Sequence, residues 1–156
     1  MRGKKAPKRT ILGDPRYNNI TVSKLVNYIM RRGKKTIALK VVYRAFDLIA
    51  EKTKKDPVEV FDTALKNVGP IVEVKSKRVG GANYQIPTPV RGERKLALSL
   101  RWIIAASASK KGQPMHIRLA DELILASNNE GAAIKKKLDV YRMAEANRAF
   151  AHFARN

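Results

Sequence analysis

Cysteine is absent from this chain of 156 residues, and only two histidines occur in it. The lack of cysteine excludes a disulfide framework, a thiolate zinc site and a cysteine nucleophile. His116 and His152 show no metal-ligand spacing such as HExxH, so no metal site is expected. Apolar runs of the roughly 18–20 residues needed to span a bilayer are also missing, and the basic start lacks the apolar segment of a signal peptide. These absences predict a soluble intracellular protein that does not enter a membrane.

Acidic residues are scarce, with 13 Asp and Glu against 33 Lys and Arg and a formal net charge of +20 at pH 7. Such an excess causes self-repulsion unless an anion offsets it, and it is typical of nucleic-acid binding. A surface that is cationic only for solubility is less favoured, because acidic residues serve solubility better. The length suits a single domain, and 44% apolar residues are enough to build its core.

Residues that would converge on a catalytic site are not evident. The run from Gly33 to Thr36 is similar to part of a phosphate-binding loop, but Tyr28 stands where that loop needs glycine and Lys35 where it needs serine or threonine. The carboxylates fall at predicted helix caps or beside Lys and Arg, where surface pairing explains them. The sequence therefore predicts no enzyme, no cofactor and no small-molecule substrate.

Hydrophobic periodicity predicts a mainly α fold, a six-helix bundle with one inserted antiparallel β-hairpin. The start of the third helix is the clearest, because Asp56 can cap it, Pro57 suits its first turn and Glu59 lies three residues after the cap. The fourth helix is nearly all apolar or small and is predicted to be the most central. The six predicted helices cover residues 20–30, 36–54, 57–68, 96–107, 114–126 and 132–150.

Between the third and fourth helices the period changes to that of strands. Residues 71–79 and 84–90 are extended, β-branched segments, and Gly80, Gly81, Ala82 and Asn83 join them. These are residue types that a hairpin turn requires, whereas the prolines of the second segment restrict it to an edge ribbon. The sequence predicts a hairpin at about residues 71–90 that projects from the helical body.

The cations are grouped in loops and at the ends of elements, where they can reach phosphates without disturbing a core. A basic, flexible arm at residues 1–13 precedes the single helical domain at 14–156. Groups converging from several directions suit a folded RNA, and no helix, zipper or finger typical of DNA readers is evident. Tyr84, beside the Gly-Gly turn, has two open interpretations: it stacks on an unpaired base, or it closes the ribbon against the body.

Three stretches resemble the bacterial family of small-subunit ribosomal protein number seven. They are DPRYNNITVSKLVNYIMRRGKKTIA at residues 14–38, NVGPIVEVKSKRVGGANYQIPTPV at 67–90 and MAEANRAFAHF at 143–153. The likeness covers essentially the whole chain, and its departures lie at the edges. Gly13 stands where the family often has proline, and residues 154–156 replace a tail that ends with an aromatic side chain.

The resemblance implies a structural constituent of the small ribosomal subunit with six helices and a hairpin between the third and fourth. It implies a primary binder of 16S rRNA that docks on the 3′ major domain, nucleates assembly of the subunit head and lies near the exit-site tRNA and the mRNA path. Small-subunit proteins nine and eleven are the implied neighbours, in a ribosome of the cytoplasm or of a plastid. The alternatives are a free regulatory RNA- or DNA-binding protein and an RNA-modifying enzyme, of which the second lacks candidate residues.

Two sets of site residues follow from this resemblance and from the basic clusters. The predicted rRNA contacts are Lys4, Lys5, Arg9, Arg31, Arg32, Lys34, Lys35, Lys75, Lys77, Arg91, Arg94 and Lys95, with the smaller loop group Lys110 and Lys111. The predicted contacts with tRNA and mRNA at the exit site are Arg78, Gly80, Gly81, Asn83, Tyr84, Arg142, Met143, Asn147 and Arg148.

Overall fold

The computed structural model describes residues 3, 6–7 and 9–155, apart from the side chains of residues 79 and 153–155. Within that part the chain forms six α-helices, one two-stranded antiparallel sheet and a terminal 3-10 helix, which confirms the mainly α class with an inserted hairpin. The elements are α1 Ile20–Ile29, α2 Lys35–Thr53, α3 Pro57–Val68, β1 Val72–Val79, β2 Ala82–Pro89, α4 Gly92–Ser109, α5 Met115–Ser127, α6 Ala132–Ala146 and the 3-10 helix Arg148–Arg155.

Side-chain caps begin two of the helices. The Asn19 carboxamide oxygen accepts from the amide of Thr21 at 2.7 Å at the start of α1, and Asp56 accepts from the amide of Val58 at 3.1 Å at the start of α3. Each cap satisfies one of the amides that the first turn of a helix leaves without an intrahelical partner. The predicted start of α3 at Asp56 and Pro57 is confirmed.

The core lies between the six helices, and α5 makes the most extensive contacts in it. Leu119 and Leu123 of α5 are fully buried, as are Phe46 of α2 and Phe61 of α3, whose rings lie 5.6 Å apart. The prediction that α4 is the most central helix was therefore wrong. Its many alanines and serines suit a surface as well as a core, and Ala105 is exposed in α4.

The hairpin turns over two residues instead of the predicted four. Gly80 and Gly81 have φ values of +57° and +92°, a left-handed conformation that glycine adopts without strain, and Ala82 already pairs with Val79. Nor does the ribbon project freely, because it packs along α6 and the 3-10 helix, and Ile86 of β2 is 1% exposed. The predicted projection was wrong.

The predicted sixth helix divides into α6 and the 3-10 helix. Asn147 stands at the junction, and both its backbone amide and its side-chain amide donate to the carbonyl of Met143, at 3.2 and 2.7 Å. An asparagine that binds the backbone locally competes with the regular helical ladder, so α6 ends at Ala146 instead of near Phe150. The 3-10 helix brings Phe150 against the hairpin.

Residues before α1 are fastened to α2 through Asp14, which is 2% exposed. Its carboxylate accepts from the Arg16 and Tyr17 amides and from the Tyr43 hydroxyl, the last at 3.0 Å. Burial, together with the hydrogen bond to Asp14, raises the pKa of Tyr43. The proposed domain limit at residue 14 stays a prediction, but this contact explains why ordered packing can begin there.

Candidate nucleic-acid interface

Two neighbouring grooves run along α1. The first groove, of about 530 Å³, is lined by Arg9, Ile11, Ile20, Lys24, Tyr28, Glu93, Leu96, Ala97 and Leu100. The second groove, of about 430 Å³, is lined by Tyr28, Ile29, Arg31, Lys34, Ile37, Ala38, Val41, Ile104, Ala108, Met115 and Arg118. Because Tyr28 lines both, the structure brings the arm, the loop after α1 and one face of α4 into one surface.

The predicted cations on this surface carry no carboxylate partner. Among the described residues, no side-chain ion pair forms at Arg9, Arg31, Arg32, Lys34 or Lys35. Arg31, Arg32, Lys34 and Lys35 are all exposed. Their charges are thus available to an external anion. Lys4 and Lys5, predicted for the same surface, lie outside the described residues.

At the base of the hairpin the predicted cations are already paired with Glu73. Lys75 Nζ lies 3.2 Å and Arg94 Nε 3.1 Å from the two carboxylate oxygens of Glu73, whose side chain is 10% exposed. Burial alone would raise the pKa of Glu73, but the hydrogen bonds from Lys75 and Arg94 outweigh it and hold that pKa below its usual value. The carboxylate orients both cations and ties β1 to α4.

Lys110 is engaged in the fold as well. Its Nζ lies 2.8 Å from Oε2 of Glu122, a side chain with 0% exposure, while Oε1 of Glu122 accepts from the Ala133 amide at 2.9 Å. This carboxylate therefore joins the loop before α5 to the first turn of α6. Lys111, its exposed neighbour, forms no ion pair among the described residues.

The strand register sorts the hairpin cations onto two faces. Side chains alternate along a strand, so Lys75 and Lys77 share one face with their partners Ile86 and Tyr84. Arg78 and its partner Asn83 occupy the opposite face. The predicted rRNA contacts of the ribbon thus lie on one face and the exit-site contact Arg78 on the other. Tyr84 is the exception, because it was predicted for the exit site but shares the face of Lys75 and Lys77.

Ring packing brings the hairpin tip to the C-terminal elements. The ring centroids of Tyr84 and Phe150 lie 4.8 Å apart, which supports the second interpretation of Tyr84, closure of the ribbon against the body. Tyr84 is half-buried there, so the contact with Phe150 limits the stacking expected of a free tip. Two further exit-site candidates are exposed on α6 and the 3-10 helix and form weak i,i+3 pairs: Arg148 with Glu145 at 3.5 Å and Arg142 with Asp139 at 3.6 Å.

The remaining predicted residues occupy the rims of these regions. Arg91 is exposed immediately before α4, while Lys95 is half-buried, with its aliphatic stem against Gly69. Gly80, Gly81 and Asn83 are exposed at the tip. The assignment of all these residues to RNA contact stays a prediction.

Three interface residues were missed by sequence reasoning: Lys24, Tyr28 and Arg101. Lys24 and Tyr28 are four residues apart and therefore share a helix face, as do Arg94 and Arg101, seven apart. That spacing was a usable signal for both helix faces. Arg118 belongs to the same basic group of the sequence as Lys110 and Lys111. It lines the second groove, and its guanidinium donates to the Ala108 carbonyl at 3.2 Å and to the Lys110 carbonyl.

Neither a metal-binding cluster nor a membrane-spanning helix is found among the described residues. No three His, Asp or Glu side chains in that part of the chain are grouped so that they could hold a metal ion. In the same part, no helix combines the length and the apolar character needed to cross a bilayer.

A helical body with a cationic surface, a basic hairpin and unpaired surface cations defines a protein of the nucleic-acid-binding class. More narrowly, the chain belongs to the ribosomal protein S7p/S5e family, whose model matches residues 1–148. It is similar to small ribosomal subunit protein uS7 of Thermotoga maritima, with 58% identity over 153 residues that cover 98% of this chain and 99% of the relative. The relative of the same name from Thermosipho africanus is 57% identical over 98% of this chain and 99% of its own length. The one from Roseiflexus castenholzii is 55% identical over 91% of this chain and 90% of its own length. The family resemblance is confirmed, and the family is one of structural ribosomal proteins, not enzymes.

Proposed function

We propose that this chain is a structural constituent of the small ribosomal subunit and a primary binder of 16S rRNA. It docks on the 3′ major domain and nucleates assembly of the subunit head in the cytoplasm. The observation that carries this proposal is the surface along α1 and the loop after it. There Arg9, Arg31 and Lys34 line grooves and have no carboxylate partner within the part of the chain that the structure describes. The near full-length similarity to proteins named for the small subunit supports it.

The same proposal assigns a second RNA surface to the hairpin tip and the end of α6. Arg78 and Asn83 lie on the face of the ribbon away from Lys75 and Lys77, which suits a separate RNA. The packing of Tyr84 on Phe150 brings the C-terminal elements to the tip from the other face of the ribbon. This surface meets exit-site tRNA and mRNA. Small-subunit proteins nine and eleven are the neighbours of the chain in the subunit.

The decisive experiment measures the affinity for a 16S 3′ major-domain fragment across a range of salt concentrations. Removing two phosphate contacts with Arg31→Ala and Lys34→Ala should lower the slope of log K against log salt by about 1.4 to 1.8 and weaken binding on the order of tenfold. The matched control is Lys54→Ala with Lys55→Ala. Those lysines lie at the other end of α2, about 28 Å away at the rise of an α-helix. Equal losses in both double variants would mean that net charge, and not this surface, governs binding.

A second arm of the experiment separates the two RNA surfaces. The double variant Arg78→Ala and Asn83→Ala should bind the rRNA fragment as the wild type does but should reduce crosslinking to exit-site tRNA in assembled subunits. If it lost rRNA affinity as strongly as the variant at residues 31 and 34, the division would be wrong. A free regulatory protein is distinguished by sedimentation, because it would leave the small subunit in high salt.

A further inference from the structure

Tyr28 is an exposed aromatic ring at the junction of the two grooves. Its side chain is 39% exposed and lines both of them. The Arg101 guanidinium lies 5.8 Å from the ring centroid, within the range of a cation–π contact, and so constrains the ring from α4. The ring of Tyr28 is therefore held at the surface with part of it open to solvent, whereas an aromatic ring of the core would be buried.

The surroundings of Tyr28 are apolar beside the ring and cationic at its ends. Ile11 and Ile20 are 40% and 52% exposed in the first groove, while Lys24 lies one turn before Tyr28 and Arg31 follows it in the second groove. Among the described residues, neither Lys24 nor Arg31 has an ion-pair partner. A flat apolar surface between two unpaired cations matches an unpaired nucleotide, whose base presents a π face and whose phosphates lie on either side.

We infer that Tyr28 is a stacking platform for an unpaired base of the RNA that this chain binds, with Lys24 and Arg31 on the adjoining phosphates. This inference rests on the proposed function. An acidic peptide would use the cations but would gain little from the ring, so the observations favour RNA.

The test compares Tyr28→Leu and Tyr28→Phe with the wild-type full chain on the 16S 3′ major-domain fragment. Loss of one stacked base should weaken binding by roughly 5- to 100-fold in the leucine variant. The salt slope should stay unchanged, because no phosphate contact is removed. The phenylalanine variant should bind like the wild type, since it keeps the ring. Leu138→Ala, an exposed apolar truncation on α6, is the control and should leave affinity unchanged.

The outcomes separate this inference from the proposed function. Normal wild-type binding with no effect of Tyr28→Leu overturns the stacking role alone, as does a phenylalanine variant as weak as the leucine variant. Failure of the wild-type chain to bind the fragment overturns both proposals. Ultraviolet crosslinking of wild-type small subunits provides a readout that does not depend on the folding of a variant. A crosslink from residue 28 to an RNA base supports the inference, and a crosslink to a protein refutes it.

Discussion

The ring of Tyr84 in β2 packs against the ring of Phe150 in the 3-10 helix, with centroids 4.8 Å apart and planes inclined by 49°. These residues are 66 positions apart in the chain, so the contact closes the C-terminal segment onto the hairpin. Tilted aromatic pairs of this kind contribute beyond the area that they bury. The hairpin tip and the C-terminal elements should therefore behave as one unit.

A double-mutant cycle on this pair should reveal that coupling. Tyr84→Ala and Phe150→Ala should each lower the free energy of unfolding, and the double variant should lose less than their sum by about 0.5–1.5 kcal/mol. Urea denaturation measures the free energy of unfolding of the wild type, the two single variants and the double variant. Tyr84→Phe keeps the ring and should retain most of the coupling, whereas strictly additive losses would show that the rings do not stabilise each other.

Lys110 and Lys111 should differ although they are adjacent and both were predicted to contact rRNA. Lys110→Ala leaves the buried carboxylate of Glu122 without its cation, so the free energy of unfolding should fall by about 1–3 kcal/mol. This loss is smaller than for a fully buried ion pair, because Lys110 is partly exposed. Lys111→Ala removes the same charge from an exposed position and should leave stability nearly unchanged. Similar melting temperatures for both variants would contradict a structural role for Lys110.

Gly131, in the turn between α5 and α6, should be hard to replace. Its φ is +93°, and an added Cβ would lie 2.8 Å from Oε1 of Glu122 and 3.2 Å from Leu125. Gly131→Ala should therefore lower the free energy of unfolding by about 2–4 kcal/mol, combining backbone strain with overpacking. Gly33→Ala is the matched control: its φ is +72°, but nothing lies near the added atom, so about 1 kcal/mol is expected from strain alone. Equal losses in denaturant titrations would mean that the Glu122 contact is easily displaced.

The pH dependence of stability should include a contribution from Glu73. Its pKa in the folded protein lies below the ordinary value of 4.5, so the ionised carboxylate stabilises the fold above that value and loses this effect as the pH falls through the folded pKa. Glu73→Gln should flatten the acid decline of the free energy of unfolding below pH 4.5 and lower stability at neutral pH by about 1 kcal/mol. Glu130→Gln, at an exposed position, is the control, and an unchanged acid limb in the Glu73 variant would contradict the assignment.

Local chemistry made much of the fold predictable. Asp56 and Pro57 are residue types that indicate the start of a helix, and α3 begins there. Paired glycines between β-branched segments likewise indicate a hairpin. The end of α6 was not predictable from periodicity, because Phe150 continues the apolar spacing while Asn147 ends the helix through a local hydrogen bond. Hydrophobic periodicity indicates which face of a helix is apolar. It does not indicate where a side chain hydrogen-bonds to the backbone and ends the helix.

The candidate interface divides in the same way. Exposed cations such as Arg31 could be assigned from the sequence because a loop after a helix has nothing to bury them. The pairing of Arg94 with Glu73 joins residues 21 positions apart and depends on how the ribbon packs on α4, so no local pattern reveals it. Tyr28 was overlooked because one aromatic residue in an amphipathic helix is ordinarily counted toward the core.

The carboxylate of Glu73 has a consequence for how the protein meets its ligand. By holding Lys75 and Arg94 at 3.2 and 3.1 Å, it restricts two long side chains that would otherwise sample many rotamers. Part of the conformational entropy lost on association is therefore already lost in the unbound chain, which is preorganisation of the hairpin base. Among the described residues Arg31 has no such partner, so its side chain would be restrained only when the proposed RNA binds. The two regions should therefore differ in the entropy of binding. The hairpin base should lose less conformational entropy on association than the loop around Arg31.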